Sequence, residues 1–472
     1  MGLFLPEILL PNPGIDLEKW AVIACDQFTQ DRGYWEKVKN TVGGMPSALN
    51  LIYPEAYLSD ADRGLKIENI RRTMARYLAD GVFAQARTGC VYVERNTPLN
   101  TGRRGLVIAV DLEHYDWKTG AQRLIRCTEG TLPERLPPRM DVRRNAALET
   151  SHILLLIDDE QDRLLPRLAE RAKSRAPAYN SALMKDSGDI SGWFLDSADD
   201  WEFIAEELEE LARRTLIRDS AASDEKITAN AENGAAAPFL FAAGDGNHSL
   251  ATAKEIWEEY KKNHFANAGN NSTDGLPVHP CRYAMVEIEN LYDPAVRFEP
   301  IHRVLFGIDS EKALALLSQL PDFSGRLISS PEELAALVKE QTDKNRFGLI
   351  AHNSAAGKHE SCRMLIETSA RGLATVRLQP LLDRWLEQEK LSVEQNGGQV
   401  PYIDYIHGEK ELFRLTAQPI NARMPAAGIL LPPIKKSGFF ETVARSGPLP
   451  RKSFSMGGAC EKRFYLECRK LF

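Results

Sequence analysis

The sequence predicts a mixed α/β fold of the α+β kind. Three observations carry that expectation. Apolar residues recur at helical spacing in several long stretches. Short apolar or alternating runs of strand length lie between them. The two kinds of segment alternate along the chain with no fixed repeat, which sets aside a solenoid or a propeller.

The elements follow in order. Residues 59–80 place Leu65, Ile67, Ile70, Met74, Tyr77 and Leu78 near one helical face, and Gly81 stops the helix. CVYVER at 90–95 and GLVIAVDL at 105–112 read as a strand pair. HILLLI at 152–157 reads as a buried strand. Residues 199–218 read as a helix whose acidic start and basic end suit the helix dipole. Segments 219–237 and 261–280 read as surface loops. A strand at 282–289 follows, then helices near 310–320, 331–341 and 380–390, with strands near 346–351 and 361–367. The tail after 425 is rich in Pro, Gly and basic residues, and its alternating end suits a final strand. We expect three regions: an N-terminal α/β region over 1–150, a central region over 151–300 and a C-terminal α/β region over 301–472.

A chain of 472 residues suits two or three domains. Its 43% apolar and 26% charged residues are those of a globular protein. Lys plus Arg total 59 against 66 for Asp plus Glu, a net charge of −7. No nucleic-acid partner is expected from that balance. No apolar stretch approaches the roughly 18–20 residues of a membrane span. The start, MGLFLPEILLPNPG, lacks a basic region and is broken by Pro6 and Pro11, so it does not read as a secretory signal. The seven cysteines are scattered and contain no C-x-x-C, which fits a reducing cytoplasm better than a disulfide framework or a zinc ribbon. Without a secretion signal, the glycosylation pattern at Asn271-Ser272-Thr273 carries no weight.

The chemistry concentrates at 238–260, PFLFAAGDGNHSLATAKEIWEEY. PFLFAA reads as a buried strand and SLATAKEIWEEY as a helix. The turn between them is Gly244-Asp245-Gly246-Asn247-His248-Ser249. Its glycines allow positive φ and close approach to a ligand. Asn247 or Ser249 can cap the helix, and the amides at its start attract phosphate. Asp245 can bind a metal ion or accept a proton, and His248 can donate to phosphate or move a proton. The alternative is a capped turn whose Asp and His satisfy only backbone groups. The spacing is neither a dinucleotide fingerprint nor a Walker A loop. Three other segments stand out. LIRCTEGTLPERLPPR at 124–139 offers Arg126, Glu129 and Arg139 to phosphate or as a base. PIHRVLF at 300–306 offers His302 and Arg303. YIDYIHG at 402–408 places Tyr405 and His407 on one strand face and Asp404 on the other.

TEGTLPERLPPR, GDGNHSLATAK, PIHRVLF, YIDYIHG and the run LPPIKKSGFFETV to LPRKSFSMG together resemble the domain of unknown function 1015 family. The resemblance spans nearly the whole chain in order. The turn is also similar to the D-G-x-H-R turn of the ParB/sulfiredoxin superfamily. That superfamily includes nucleotide-gated partitioning proteins and free serine kinases that use ADP or ATP. Asp245, Gly246 and His248 match that turn; Ser249 stands where the arginine would be. The resemblance implies a ParB/sulfiredoxin-like core with further α/β elaborations. It also implies phosphate held at Gly244–Ser249 and Mg²⁺-assisted transfer from a nucleotide to a hydroxylated metabolite such as free serine. A non-catalytic binding protein and a ParB-like nucleotide-gated protein are the alternatives.

Overall fold

The computed structural model describes residues 2–118, 120–221, 238–265, 279–340, 342–353, 360–368, 373–417 and 426–472. The chain forms two compact units. Unit 1 comprises Met1–Arg297 with Ala459–Phe472, and unit 2 comprises Phe298–Gly458. Both mix helices with antiparallel-rich sheets, so the α+β expectation holds. Most of the loop expected over 219–237, and the Asn271 segment, lie outside the described residues.

In unit 1 the strands are β1 (Cys90–Asn96), β2 (Arg103–Asp111), β3 (Ile125–Cys127), β4 (Leu154–Ile157), β5 (Tyr179–Ala182), β6 (Asp189–Leu195), β7 (Phe241–Asp245) and β8 (Tyr283–Asn290). They form one sheet in the order β5-β6-β1-β2-β8-β4-β7-β3, and Leu3–Phe4 also pairs with β2. β7 runs antiparallel to β4 and parallel to β3. The central strands are buried on both faces, as LVIAV of β2 and LLLI of β4 require. The helices are α1 (Arg63–Ala79), α2 (Leu136–Arg143), α3 (Leu164–Lys173), α4 (Ala198–Ala221) and α5 (Asn247–Phe265). The face expected for α1 is buried at Ile67, Ile70, Met74 and Tyr77, while Leu65 points to solvent. Residues 261–265, expected in a loop, continue α5. The segment 124–139 supplies β3 and the start of α2. Its prolines fit the first helical turn, where an amide hydrogen is not needed.

The C-terminal segment is not one alternating strand. Phe454–Met456 pairs within unit 2, whereas Phe464–Tyr465 pairs with Val22–Ile23 and Cys468–Lys470 with Leu148–Thr150 in unit 1. Residues 461–469 are buried throughout, because both faces of this segment are covered. The Arg463 guanidinium lies between Glu287 and Glu467, with Nε 2.6 Å from Glu287 and Nη2 2.8 Å from Glu467. Gly105 on β2 makes room for this pairing, since a Cβ there would lie 2.1 Å from the Glu287 carboxylate.

Unit 2 contains β9 (Phe298–Phe306), β10 (Ser324–Leu327), β11 (Asn345–Asn353), β12 (Glu360–Thr368), β13 (Tyr402–His407) and β14 (Ala426–Leu430). Their order is β10-β12-β11-β14-β9-β13. Its helices are α6 (Ser310–Leu317), α7 (Pro331–Lys339), α8 (Ala374–Asn396), α9 (Glu409–Ala417) and α10 (Phe439–Ser446). One apolar cluster joins Leu305, Phe347, Ile366 and Ile429 of the sheet to Leu378, Leu382 and Trp385 of α8.

Candidate active site

The strand–turn–helix expected over 238–260 is present. β7 ends at Asp245 and α5 begins at Asn247. Gly246 takes φ +74°, and a Cβ there would lie 3.0 Å from the Ile153 Cα. Glycine is therefore needed for both the turn and the close approach. Gly244 sits instead at a β-bulge, where the β7–β4 register shifts between Ala243 and Asp245. The Gly246 carbonyl accepts from the Leu250 amide at 2.9 Å, so the first amides of α5 have no partner within the helix.

Neither expected cap forms. Asn247 Oδ1 accepts from the Thr128 amide at 3.3 Å, and its Nδ2 donates to the Ala243 carbonyl at 3.2 Å. It ties the turn to the end of β3. His248 Nε2 accepts from the Leu132 amide at 3.4 Å, which pins the loop 128–132 against α5. Glu129 is half-buried in that loop. Arg126 is buried, with its face 4.7 Å from the Phe239 ring centroid and its Nε donating to the Arg123 carbonyl at 3.1 Å.

Beside the turn lies a cavity of about 140 Å³, room for about five waters. Ser249 and Thr252 of α5, Arg139 of α2, Glu55, His152 and Tyr465 line it. α2 is fixed along α5 by a two-pronged pair, Arg144 Nε and Nη2 to Glu259 at 2.8 and 2.9 Å. That packing brings Arg139 to the cavity, where it pairs with Glu55.

His152 sits in a small hydrogen-bond network. The Cys25 amide donates to the Tyr465 hydroxyl at 3.2 Å, and that hydroxyl lies 2.7 Å from His152 Nδ1. On the other side of the ring, Nε2 is 3.2 Å from Ser249 Oγ and 3.7 Å from Asp26 Oδ2. A serine nucleophile activated by His152 does not fit, because such a base needs its carboxylate on the opposite nitrogen.

Asp26 and Glu55 carry opposite shifts. Burial alone would raise Asp26, but His152, the Gln27 amide, Lys462 and Arg139 outweigh it and hold the carboxyl below its usual range. For Glu55, burial dominates and pushes the carboxyl up, against the pull of Arg139. Burial also raises the Cys25 thiol, which leaves it protonated.

Asp245 accepts from the Gly246 amide at 2.9 Å and pairs with Lys462 Nζ at 3.0 Å. Lys462 is held in place from behind: Arg95 Nη2 donates to the Cys460 carbonyl at 2.6 Å, and Arg103 Nη1 to the Glu461 carbonyl at 2.5 Å. A divalent cation at Asp245 would have to displace this ammonium. Among the described residues, no group of three or more His, Cys, Asp and Glu side chains could hold a metal ion. The turn does not fit a protein-held metal; Lys462 supplies positive charge there.

The remaining candidates lie in unit 2. Arg303 on β9 is fully buried; its Nε and Nη2 each lie 3.2 Å from Gln379 Oε1, and its face covers the Tyr405 ring. The Tyr405 hydroxyl accepts from Gln379 Nε2 at 3.2 Å. His407 is exposed on β13. His302 is buried, and its Nδ1 accepts from the Leu431 amide at 3.1 Å. Burial first, then Arg303, bring its pKa down to about 4. A histidine with a lowered folded pKa gives stability above its ordinary value of 6.5, which is lost as pH falls towards 4. The melting temperature of the full chain should therefore fall between pH 6.5 and 4. His302→Asn should flatten that slope, and an unchanged slope would remove His302 as its source.

The family model described as a protein of unknown function, DUF1015, matches residues 9–379. The chain belongs to this family. No curated protein matches it. Among solved structures, it is similar to a free serine kinase variant in complex with AMP, at 10% identity and TM-score 0.35, covering 76% of this chain and 87% of that one. A free serine kinase variant in complex with ADP gives 11% identity and TM-score 0.34, over 76% of this chain and 87% of that one. A conserved hypothetical protein from Pyrococcus furiosus gives 11% identity and TM-score 0.33, over 78% of this chain and 97% of that one. Among the described residues, no helix is long and apolar enough to cross a membrane.

Proposed function

We propose that the chain is a small-molecule kinase. It moves a phosphoryl group between ADP or ATP and a hydroxylated metabolite such as free serine. The supporting observation is the convergence, on one small cavity at the start of α5, of an upward-shifted carboxyl, an arginine and a serine beside a histidine. The amides of Asn247 and Ser249 and the nearby Lys462 supply the anion cradle that phosphoryl transfer needs. The cavity takes the acceptor. Its hydroxyl oxygen attacks phosphorus as the proton passes to the Glu55 carboxylate. The bond from phosphorus to the leaving nucleotide oxygen breaks, and the shortened nucleotide departs. Burial raises Glu55 in the direction that makes a carboxylate a better base. Asp26, held below its usual range, stays ionised beside His152.

The test is nucleotide consumption by the full chain with a pool of small hydroxylated metabolites. Acceptor-dependent formation of a phosphorylated product is expected. Nucleotide binding with no turnover on any acceptor would make this a binding protein. A competitor-resistant shift of duplex DNA at physiological salt would favour the ParB-like alternative.

A further inference from the structure

The cavity at the start of α5 narrows the choice of acceptor within the kinase reading. Ser249, Thr252 and His152 form the part of its wall next to the turn. Another part is hydrocarbon, from Leu51, Ile52, Met74 of α1, Val142 of α2, Leu148 and Ile153. Five of these six are buried in the core of unit 1, and Val142 packs against that core. The Cys25 thiol, kept protonated by burial, adds a small apolar surface.

The charges in the wall already have their opposites. Glu55 pairs with Arg139, and Arg143 Nη2 lies 2.6 Å from Glu149 Oε1. Hydroxyls of the wall are engaged as well. Tyr53 donates to the Tyr57 carbonyl at 2.7 Å, Thr150 to the Glu467 carbonyl at 3.0 Å and Thr252 to the His248 carbonyl at 2.7 Å. A free amino acid would bring an ammonium and a carboxylate against charges that are already paired. Losing water there without new partners is costly. A hydrocarbon body gains on losing water, by about fourfold in affinity per methylene. Size points the same way. An apolar cavity of about 150 Å³ takes benzene, so this one suits roughly five or six carbons.

We propose that the acceptor is an uncharged, branched or cyclic alcohol of about five or six carbons, not a zwitterion such as free serine. This rests on the kinase reading for the alcohol's role as acceptor. Its carbon body lies against Met74 and Val142, and its hydroxyl points to Glu55. As the hydroxyl oxygen bonds phosphorus, its proton passes to Glu55. The products are an alkyl phosphate and the shortened nucleotide.

The full chain is titrated calorimetrically with 3-methylbutan-1-ol and with L-serine, and each is then supplied with ATP and assayed for phosphorylated product. Saturable binding and turnover of the branched alcohol are expected, about tenfold or more better than of serine. Val142 is only half-buried, so Val142→Phe should fold while it intrudes on the cavity. It should weaken binding of the alcohol about tenfold or more. Val142→Ala should move the preference to alcohols about one or two carbons longer, a response that a folding defect would not give. Alcohol binding that is saturable and sensitive to Val142, with no product from any acceptor, would support the ligand class and remove the kinase reading. Serine used better than the alcohol would overturn the proposal and leave the kinase reading in place. Absence of saturable alcohol binding, or binding unchanged in Val142→Phe, would also overturn it.

Discussion

Arg463→Met should destabilise unit 1 by about 3–5 kcal/mol, the usual cost of breaking a buried ion pair from one side. The guanidinium is buried, lies against Glu287 and Glu467, and donates to the Ser151 carbonyl. Burial alone would lower its pKa, but the two carboxylates outweigh this and hold it charged, above the usual arginine range. Methionine fills much of the same volume and leaves both carboxylates buried without their cation. The melting temperature should fall by on the order of 10 °C. A triple variant, Arg463→Met with Glu287→Leu and Glu467→Leu, should recover much of the loss, because the cost comes from uncompensated charge. A small loss in the single variant would mean that the C-terminal segment is not bound to unit 1 in this way.

Glu55→Gln should reduce turnover by about 10²–10⁴-fold, the usual contribution of a general base. The glutamine still offers an oxygen to Arg139, so the wall of the cavity keeps its shape. The amide also removes a buried carboxyl that pays a desolvation cost, so the melting temperature should stay level or rise. A lowered melting temperature with turnover intact would make Glu55 a structural partner of Arg139 and nothing more.

The fold was legible wherever periodicity was strong. α1, α4, β2 and the β7–turn–α5 unit all announce themselves by apolar spacing and by glycine. The final segment was not. Its strands in unit 1 are two and three residues long and covered on both faces, so KRFYLECR shows no clean alternation. Four charged residues among apolar ones there are a sign of buried pairing, and in the structure they supply Lys462 and Arg463. At the site, Ser249 and Arg139 were visible, because turn chemistry and arginine density mark their segments. His152 stands at the mouth of a buried strand, and its position at the head of HILLLI was the one available hint. Asp26, Glu55 and Tyr465 come from three segments without a shared motif; only the tertiary fold brings them to His152 and Arg139. The turn's own Asp245 and His248 carry less free chemistry than their motif suggests, since Lys462 and the Leu132 amide already engage them.

The most direct test of the kinase reading is ADP binding by the full chain, measured at equilibrium for wild type and Lys462→Met. Lys462 is the cation beside the proposed phosphate cradle, and without it Asp245 still accepts from the Gly246 amide. The account predicts a saturable, salt-sensitive binding event that weakens about tenfold or more in Lys462→Met, the scale of a lost hydrogen bond between charged groups. Wild-type protein that binds no ADP, or a Lys462→Met variant that binds it as tightly as wild type, would contradict the account.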